Sequence, residues 1–340
     1  MRDGDVLVLT GRDVSTLLSG DELELIEVVR RAYEAHATGA SSLPHSTFLR
    51  FPTQPKDRII ALPAYLGDGF GVAGIKWIAS FPDNLERKLD RASAVVVLNS
   101  AETGRPEAFI EGSIISAKRT AASAALAART LQEGRPAGTV GLVGCGVINF
   151  EIARFILAAC TGVERFLIFD LDEERARRFA EKCRRLSEQV VVEVASERGA
   201  LLRESQVVSL ATTAAEPHIF DLNECAPAST VLHVSLRDLA PEVILDCDNI
   251  VDDVDHVCRA QTSLHLTEQL TGTRSFIRCT LADILLGRAP ARRDATSVAV
   301  FSPFGLGVLD LAVASRVSAQ AEGRGTVISS FLPDPWGDRE

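Results

Sequence analysis

The glycines at 144 and 146, which end the run Thr139-Val-Gly-Leu-Val-Gly-Cys-Gly146, and the aspartate that ends Phe166-Leu-Ile-Phe-Asp170 carry the clearest chemical message of this chain. An apolar run closing on Gly-x-Gly, then a helical pattern, then a second apolar run stopping at an acid is how a chain builds a cradle for a dinucleotide. Gly144 permits the tight turn, and Gly146 lets bare backbone approach a pyrophosphate. The N–H groups that open the next helix face the anion, and the acid accepts from ribose hydroxyls. Asp170 follows Gly146 by 24 positions, close to the ~20 such an acid requires. The third glycine of the usual fingerprint is replaced by Asn149.

Four further positions carry side chains suited to acid–base work or anion binding. Lys76 lies in Gly71-Val-Ala-Gly-Ile-Lys-Trp-Ile-Ala-Ser80, a β-type run that is otherwise apolar. Either it sits on the outer face of a half-buried strand and snorkels past Trp77, or it is desolvated, with a lowered pKa that lets it exchange protons near neutrality. Arg119, on the small-residue helix Ser116-Ala-Lys-Arg-Thr-Ala-Ala122, is either solvated or a fork for a carboxylate or phosphate. Arg50 has the same two readings. Asp238 follows the strand expected to be fifth in a parallel sheet. It is either an acid at the ligand-binding edge of that sheet or the cap of a helix begun at Pro241. Thr212 and Thr213 occupy the equivalent edge after another strand, to touch ribose or nicotinamide or to satisfy the turn.

These residues need a scaffold in two parts. Residues 6–10 read as a strand and 21–37 as an amphipathic helix, with Leu23, Leu25, Ile26, Val29 and Tyr33 at helical spacing. Strands are expected at 46–51, 58–64, 71–80, 94–98 and 107–111, the last two joined as a hairpin through Ser100-Ala-Glu-Thr-Gly104; strands bunched in this way mark an α+β unit. After a helix over 113–132, strand and helix alternate from 139 to 211. Further strands are expected at 229–235, 249–253 and 297–301, with an irregular stretch at 262–273 and a helix near 281–286. That rhythm belongs to a parallel, helix-flanked sheet. A closing helix over 308–321 returns to the first part. The expected division is residues 1–117 with 307–340 against a dinucleotide-binding domain of 118–306.

Bulk properties narrow the partners. With 340 residues, 46% hydrophobic and 24% charged, the chain has the make-up of an ordinary globular enzyme. A net charge of −10 disfavours nucleic acid or an anionic membrane as the main partner. The seven cysteines form no Cys-x-x-Cys pair and read as reduced thiols, and the six histidines show no ligand spacing, so no metal site is expected. The acidic start and the absence of a long apolar run lead to the expectation of a cytoplasmic protein.

In this order along nearly the whole chain, Gly74-Ile-Lys-Trp77, Ser113-Ile-Ile-Ser-Ala-Lys-Arg-Thr-Ala-Ala122, Gly141-Leu-Val-Gly-Cys-Gly146 and Asp238 resemble the ornithine cyclodeaminase/mu-crystallin family. Asp57-Arg-Ile-Ile-Ala-Leu-Pro63, Asp83-Asn84, Arg91-Ala-Ser93 and Val97-Leu-Asn99 are most similar to its NAD-dependent dehydrogenase branch, which serves 2,3-diaminopropionate and siderophore biosynthesis. The resemblance implies an α/β fold: a Rossmann domain with a parallel sheet, plus an α+β N-terminal dimerisation and substrate domain completed by the C-terminal helix, with the active site in the cleft. It makes Lys76 and Asp238 the acid–base pair, and Arg50, Lys76 and Arg119 the substrate-binding residues. Arg119, Thr120, Gly144, Cys145, Gly146, Val147, Ile148, Asp170, Thr212, Val234 and Ser235 become the NAD site of a homodimer acting on an amino-acid-derived substrate. Cyclodeaminases tend to carry lysine four residues after the catalytic aspartate, where this chain has Glu242. Three rivals stay open: cyclodeaminase chemistry, a simple imine reductase or amino-acid dehydrogenase, and a nucleotide-binding protein without turnover.

Overall fold

The computed structural model of the chain describes residues 4–333. The expected domain limits at residues 1 and 340 lie outside the described residues. The chain forms two compact units, one reaching to Arg119 and resuming at Leu306, the other running from Thr120 to Gly305.

The first unit begins with β1 (Val6–Leu9), α1 (Gly11–Leu17) and α2 (Glu22–Ala37). Thr10 caps α1 in a reciprocal capping box with Asp13, a short helix that hydrophobic spacing alone did not reveal. The strands β2 (Ser41–Ser42), β3 (Thr47–Phe51), β4 (Gln54–Leu66), β5 (Val72–Ser80), β6 (Ala92–Ser100) and β7 (Pro106–Glu111) follow. β6 and β7 pair antiparallel as the expected hairpin. Strand alternation sets two unlike faces. Leu62, Ala64, Leu66, Val72, Lys76, Val96 and Leu98 are buried, whereas Tyr65 and Trp77 point the other way and stay exposed. The helix α3 (Ser113–Gln132) then leads into the second unit.

That unit alternates β8 (Gly138–Val143), α4 (Val147–Ala159), β9 (Val163–Phe169), α5 (Glu173–Arg184), β10 (Val191–Val194), α6 (Arg198–Glu204) and β11 (Val207–Leu210). It continues with β12 (Thr230–His233), α7 (Pro241–Asp246), β13 (Asp248–Val251), α8 (Val254–Val257), α9 (Ser263–Thr271), β14 (Ile277–Thr280), α10 (Leu281–Leu285) and β15 (Ala299–Ser302). The eight strands form one parallel sheet in the order β10-β9-β8-β11-β12-β15-β13-β14, a Rossmann-like α/β fold. The order reverses between β8 and β11, and such a switch point opens a ligand crevice beyond the strand ends. One expectation is corrected here: the stretch 262–273 is not irregular but holds α9. Thr262 caps it by accepting from the His265 N–H, and Gly272, at φ +70°, ends it in the left-handed conformation.

The chain returns to the first unit with α11 (Gly307–Ala319) and β16 (Thr326–Ile328), which completes an eight-stranded sheet ordered β16-β1-β7-β6-β5-β4-β2, with β3 also on β4. α11 lies on the buried sheet face. It approaches so closely that a Cβ on Gly307 would sit 3.0 Å from the Leu62 carbonyl. Val308, Leu309, Leu311, Val313 and Val317 of α11 are fully buried, each worth about 1.5–3 kcal/mol. That apolar burial outweighs the cost of carrying one charged residue, Asp310, into the same core. No helix among the described residues is long and apolar enough to cross a membrane.

Candidate active site

Within the first unit, the outer-face reading of Lys76 is overturned. Lys76 is 2% exposed while its neighbour Trp77 is 40% exposed, because the strand register turns the lysine towards α11. Its Nζ donates to Asp310 Oδ2 at 2.6 Å and to Ser116 Oγ at 3.2 Å. Arg119 Nε donates to the other carboxylate oxygen of Asp310 at 2.9 Å. Burial, reinforced by the Arg119 charge, holds Lys76 down to about 8 against the opposing pull of Asp310. Arg119 is itself buried, and its terminal guanidinium nitrogens bond no other side chain or carbonyl among the described residues. The cluster therefore presents an amine able to titrate near neutrality, beside a guanidinium with donors to spare.

The second unit contains the cradle. Gly144, at φ +91°, turns the chain after β8; a Cβ there would lie 2.6 Å from the Ala211 carbonyl at the end of β11, so only glycine fits. Gly146 has an ordinary extended φ of −96° and open space where a Cβ would be. The open surface continues over Val147, an apolar residue 66% exposed at the first turn of α4, with Ile148 next to it partly covered. Asp170 Oδ2 accepts from the Cys145 N–H at 2.8 Å and Oδ1 from the Asp172 N–H at 3.0 Å, which fixes the carboxylate at the rim of the turn. Asn149 explains the missing third glycine. Its amide donates to the carbonyls of Val143 and Gly144 and accepts from Ser209, so it ties β8 to β11 through hydrogen bonds instead of close helix packing. Bare backbone, an uncovered helix start and a rim carboxylate fit a dinucleotide.

The same unit builds a second polar cluster around Asp238. It does not cap α7, whose N-cap is Ala240 with no side-chain cap bond. Asp238 is fully buried. It accepts from Thr212 Oγ1, lies within reach of Ser235 Oγ, and stands 3.1 Å from His218 Nε2. Arg198 donates to His218 Nδ1 at 2.9 Å, which leaves Nε2 as the protonated nitrogen facing Asp238. The Asp238 N–H points to His233 Nε2 at 3.2 Å. Burial works to raise this carboxyl, but His233, Ser235 and Thr212 outweigh it and hold Asp238 well below the usual carboxylate range. It is a fixed, ionised acceptor.

Of the remaining expected residues, Thr120 follows Arg119 on α3, and Val234 and Ser235 lie just past β12. Thr212 and Ser235 direct their hydroxyls at Asp238. Arg50 is exposed, its guanidinium 5.7 Å from the centre of the Phe48 ring. Asp310, Ser116, His218 and Arg198 were missed by sequence reasoning. Asp310 had a signal: it is the only charged residue between Asp294 and Arg316, isolated in an apolar helix as Lys76 is in an apolar strand. The histidine and arginine had none.

The model of the ornithine cyclodeaminase/mu-crystallin family matches residues 5–325, and the chain belongs to that family. It is 26% identical to the N-((2S)-2-amino-2-carboxyethyl)-L-glutamate dehydrogenase of Staphylococcus aureus over 335 residues, covering 96% of this chain and 99% of the relative. It is 25% identical to the alanine dehydrogenase of Archaeoglobus fulgidus, covering 96% and 99%. In fold it is similar to Thermococcus litoralis Delta(1)-pyrroline-2-carboxylate reductase, solved with NADH and L-proline, at a TM-score of 0.88 and 24% identity over 95% of this chain and 100% of that one.

Proposed function

We propose that this family member is an NAD-dependent oxidoreductase that cleaves N-(2-amino-2-carboxyethyl)-L-glutamate at a CH–NH bond. Substrate, NAD+ and water yield L-2,3-diaminopropionate, 2-oxoglutarate, NADH and a proton. The observation that carries the reading is Lys76, an amine buried beside Asp310 and Arg119 and held to about 8. The S. aureus relative, matched nearly end to end, supports the substrate.

Gly144, Cys145, Gly146, Val147, Ile148 and Asp170 would hold the dinucleotide, with Arg119, Thr120, Thr212, Val234 and Ser235 completing its site. When bound, NAD supplies the oxidant that turns the substrate's CH–NH into an imine. Lys76, neutral, takes the proton from the bridging secondary ammonium so that the nitrogen lone pair can assist that oxidation. Arg119 offers its unused nitrogens to a substrate carboxylate. Asp238, ionised, accepts from the water whose oxygen adds to the imine carbon, and the proton that water loses goes to the departing amine. Asp170 favours NAD over NADP, since a 2′-phosphate beside a carboxylate is repelled.

The exposed face of the first sheet, with Leu49, Tyr65 and Trp77 uncovered, supports a homodimer as the working assembly. The deciding assay is NADH absorbance with a panel of amines. Steady NADH formation with the diaminopropionate precursor, and none with ornithine, alanine or proline, is expected. NADH formation with alanine or proline alone would move the chain to the amino-acid dehydrogenases, and cyclisation of ornithine without net NADH to the cyclodeaminases.

A further inference from the structure

Among the described residues of the first unit, the Arg91 guanidinium has no anionic partner. Arg91 is partly buried at the start of β6, and burial alone lowers its pKa. Its one hydrogen-bond partner among the described residues is a neutral hydroxyl, Ser80 Oγ, to which Nη1 donates at 3.0 Å. A half-buried guanidinium so weakly paired is costly unless a ligand supplies the missing charge.

Through its bond to Ser80 Oγ, Arg91 reaches a row that the sheet register fixes. Arg50 pairs with Arg58, Arg58 with Ser80, and Ser80 with Ala92, so these residues form one cross-strand row pointing to one face. Lys76 and Ser80 are four positions apart on β5 and therefore share that face. The row lies about 13 Å along the strand from Lys76 at ~3.3 Å per residue. The intervening row of Phe48, Ile60, Ile78 and Ala94 is apolar and partly exposed. Positive charge thus collects at one end of a short apolar floor that has the titrating amine at the other end, in a protein of net charge −10.

We propose that Arg91, with Arg50 and Arg58 beside it, forms a second carboxylate subsite that takes the distal carboxylate of the substrate's glutarate arm. The inference rests on the reading of Lys76 as the group at the reacting nitrogen. From that nitrogen the γ-carboxylate oxygens of a glutamate skeleton lie five bonds away, about 6 Å when extended at ordinary bond lengths. With a hydrogen bond of about 3 Å at each end, the span is about 12 Å and matches the row. The carboxyethyl arm is one atom shorter, so its carboxylate falls about 1 Å short of that reach. The subsite accordingly selects a dicarboxylic amino-acid skeleton over alanine, proline or ornithine, whose one carboxylate Arg119 would meet.

The test uses two keto acids of equal carbon number, 2-oxoglutarate and 2-oxopentanoate, binding to the NADH-loaded protein and read by nucleotide fluorescence. The wild type is expected to prefer 2-oxoglutarate by about ten- to a hundredfold, the usual value of a charge-assisted pair. Arg91→Met should erase that preference, and Arg91→Lys should keep part of it. Equal affinity in the wild type, or a preference that survives Arg91→Met in a folded variant, would overturn the subsite. An Arg91-dependent preference without oxidation of the diaminopropionate precursor keeps the subsite and removes the proposed reaction. Oxidation of the precursor without that preference does the reverse.

Discussion

Lys76 and Asp310 are 234 positions apart in the chain, yet their charged ends lie 2.6 Å from each other in a core where both are buried. Each is the only ionisable residue in a long apolar segment, one on a strand and one on a helix. A buried ion pair contributes little net stability compared with apolar residues of the same volume, because desolvation cancels most of its Coulomb energy. Its value here lies in setting the proton affinity of the amine.

Replacing Lys76 by Met should therefore cost activity far more than stability. A fall in kcat/KM of about a hundred- to ten-thousandfold is expected, the range for a lost acid–base group. Near wild-type turnover in Lys76→Met would remove the lysine from the mechanism.

Asp310→Asn should be costly to stability at pH 7, by about 3–5 kcal/mol, because it leaves buried cations uncompensated. Its pH dependence has a definite sign. Lys76 titrates at about 8 in the folded state, below its ordinary value of 10.5. Between those values the unfolded chain binds more protons, so stability rises with pH. Without Asp310, which raises the lysine, that window opens at lower pH. The deficit measured by urea unfolding should then shrink as pH rises towards 8 and stay constant above it.

The rate should follow the same proton. If neutral Lys76 takes the substrate proton, kcat/KM rises with pH through about 8 and then levels. Asp310→Asn should move that limb to lower pH, and Arg119→Met, which removes the neighbouring charge that lowers the lysine, should move it to higher pH. A limb unmoved in both variants would assign the titration to another group.

The two cradle glycines should respond in opposite ways. Gly144→Ala meets the Ala211 carbonyl at a φ that L-residues rarely adopt, and should lower Tm. Gly146→Val meets open space at an ordinary φ, so Tm should hold while affinity for NAD drops tenfold or more. Asp170→Ser should weaken NAD and relatively favour NADP; an unchanged preference counts against the ribose contact.

Trp77→Glu, on the exposed sheet face, should convert a dimer to a monomer in light scattering. An unchanged mass would place the assembly surface elsewhere.

Much of this was legible along the chain. The Gly144–Asp170 turn and the alternation of strands and helices around it follow from local spacing, since turns, periodicity and caps act over a few residues. Even a missed element such as α9 was written locally, in Thr262 and Gly272. What no local rule contains is the partner of a buried charge. The sequence marked Lys76 as odd, but left open which face of β5 it took. The packing of α11 on that face decided it, by bringing Asp310 and Arg119 to the amine. The same holds for Arg198, His218 and Asp238, each ordinary in its own segment and joined where β11 and β12 end side by side. Short-range geometry determines which residues share a face. Only the folded chain determines which faces meet, and the proton affinities follow from that meeting, because the electrostatic cost of a buried charge depends on every neighbour within a few ångströms.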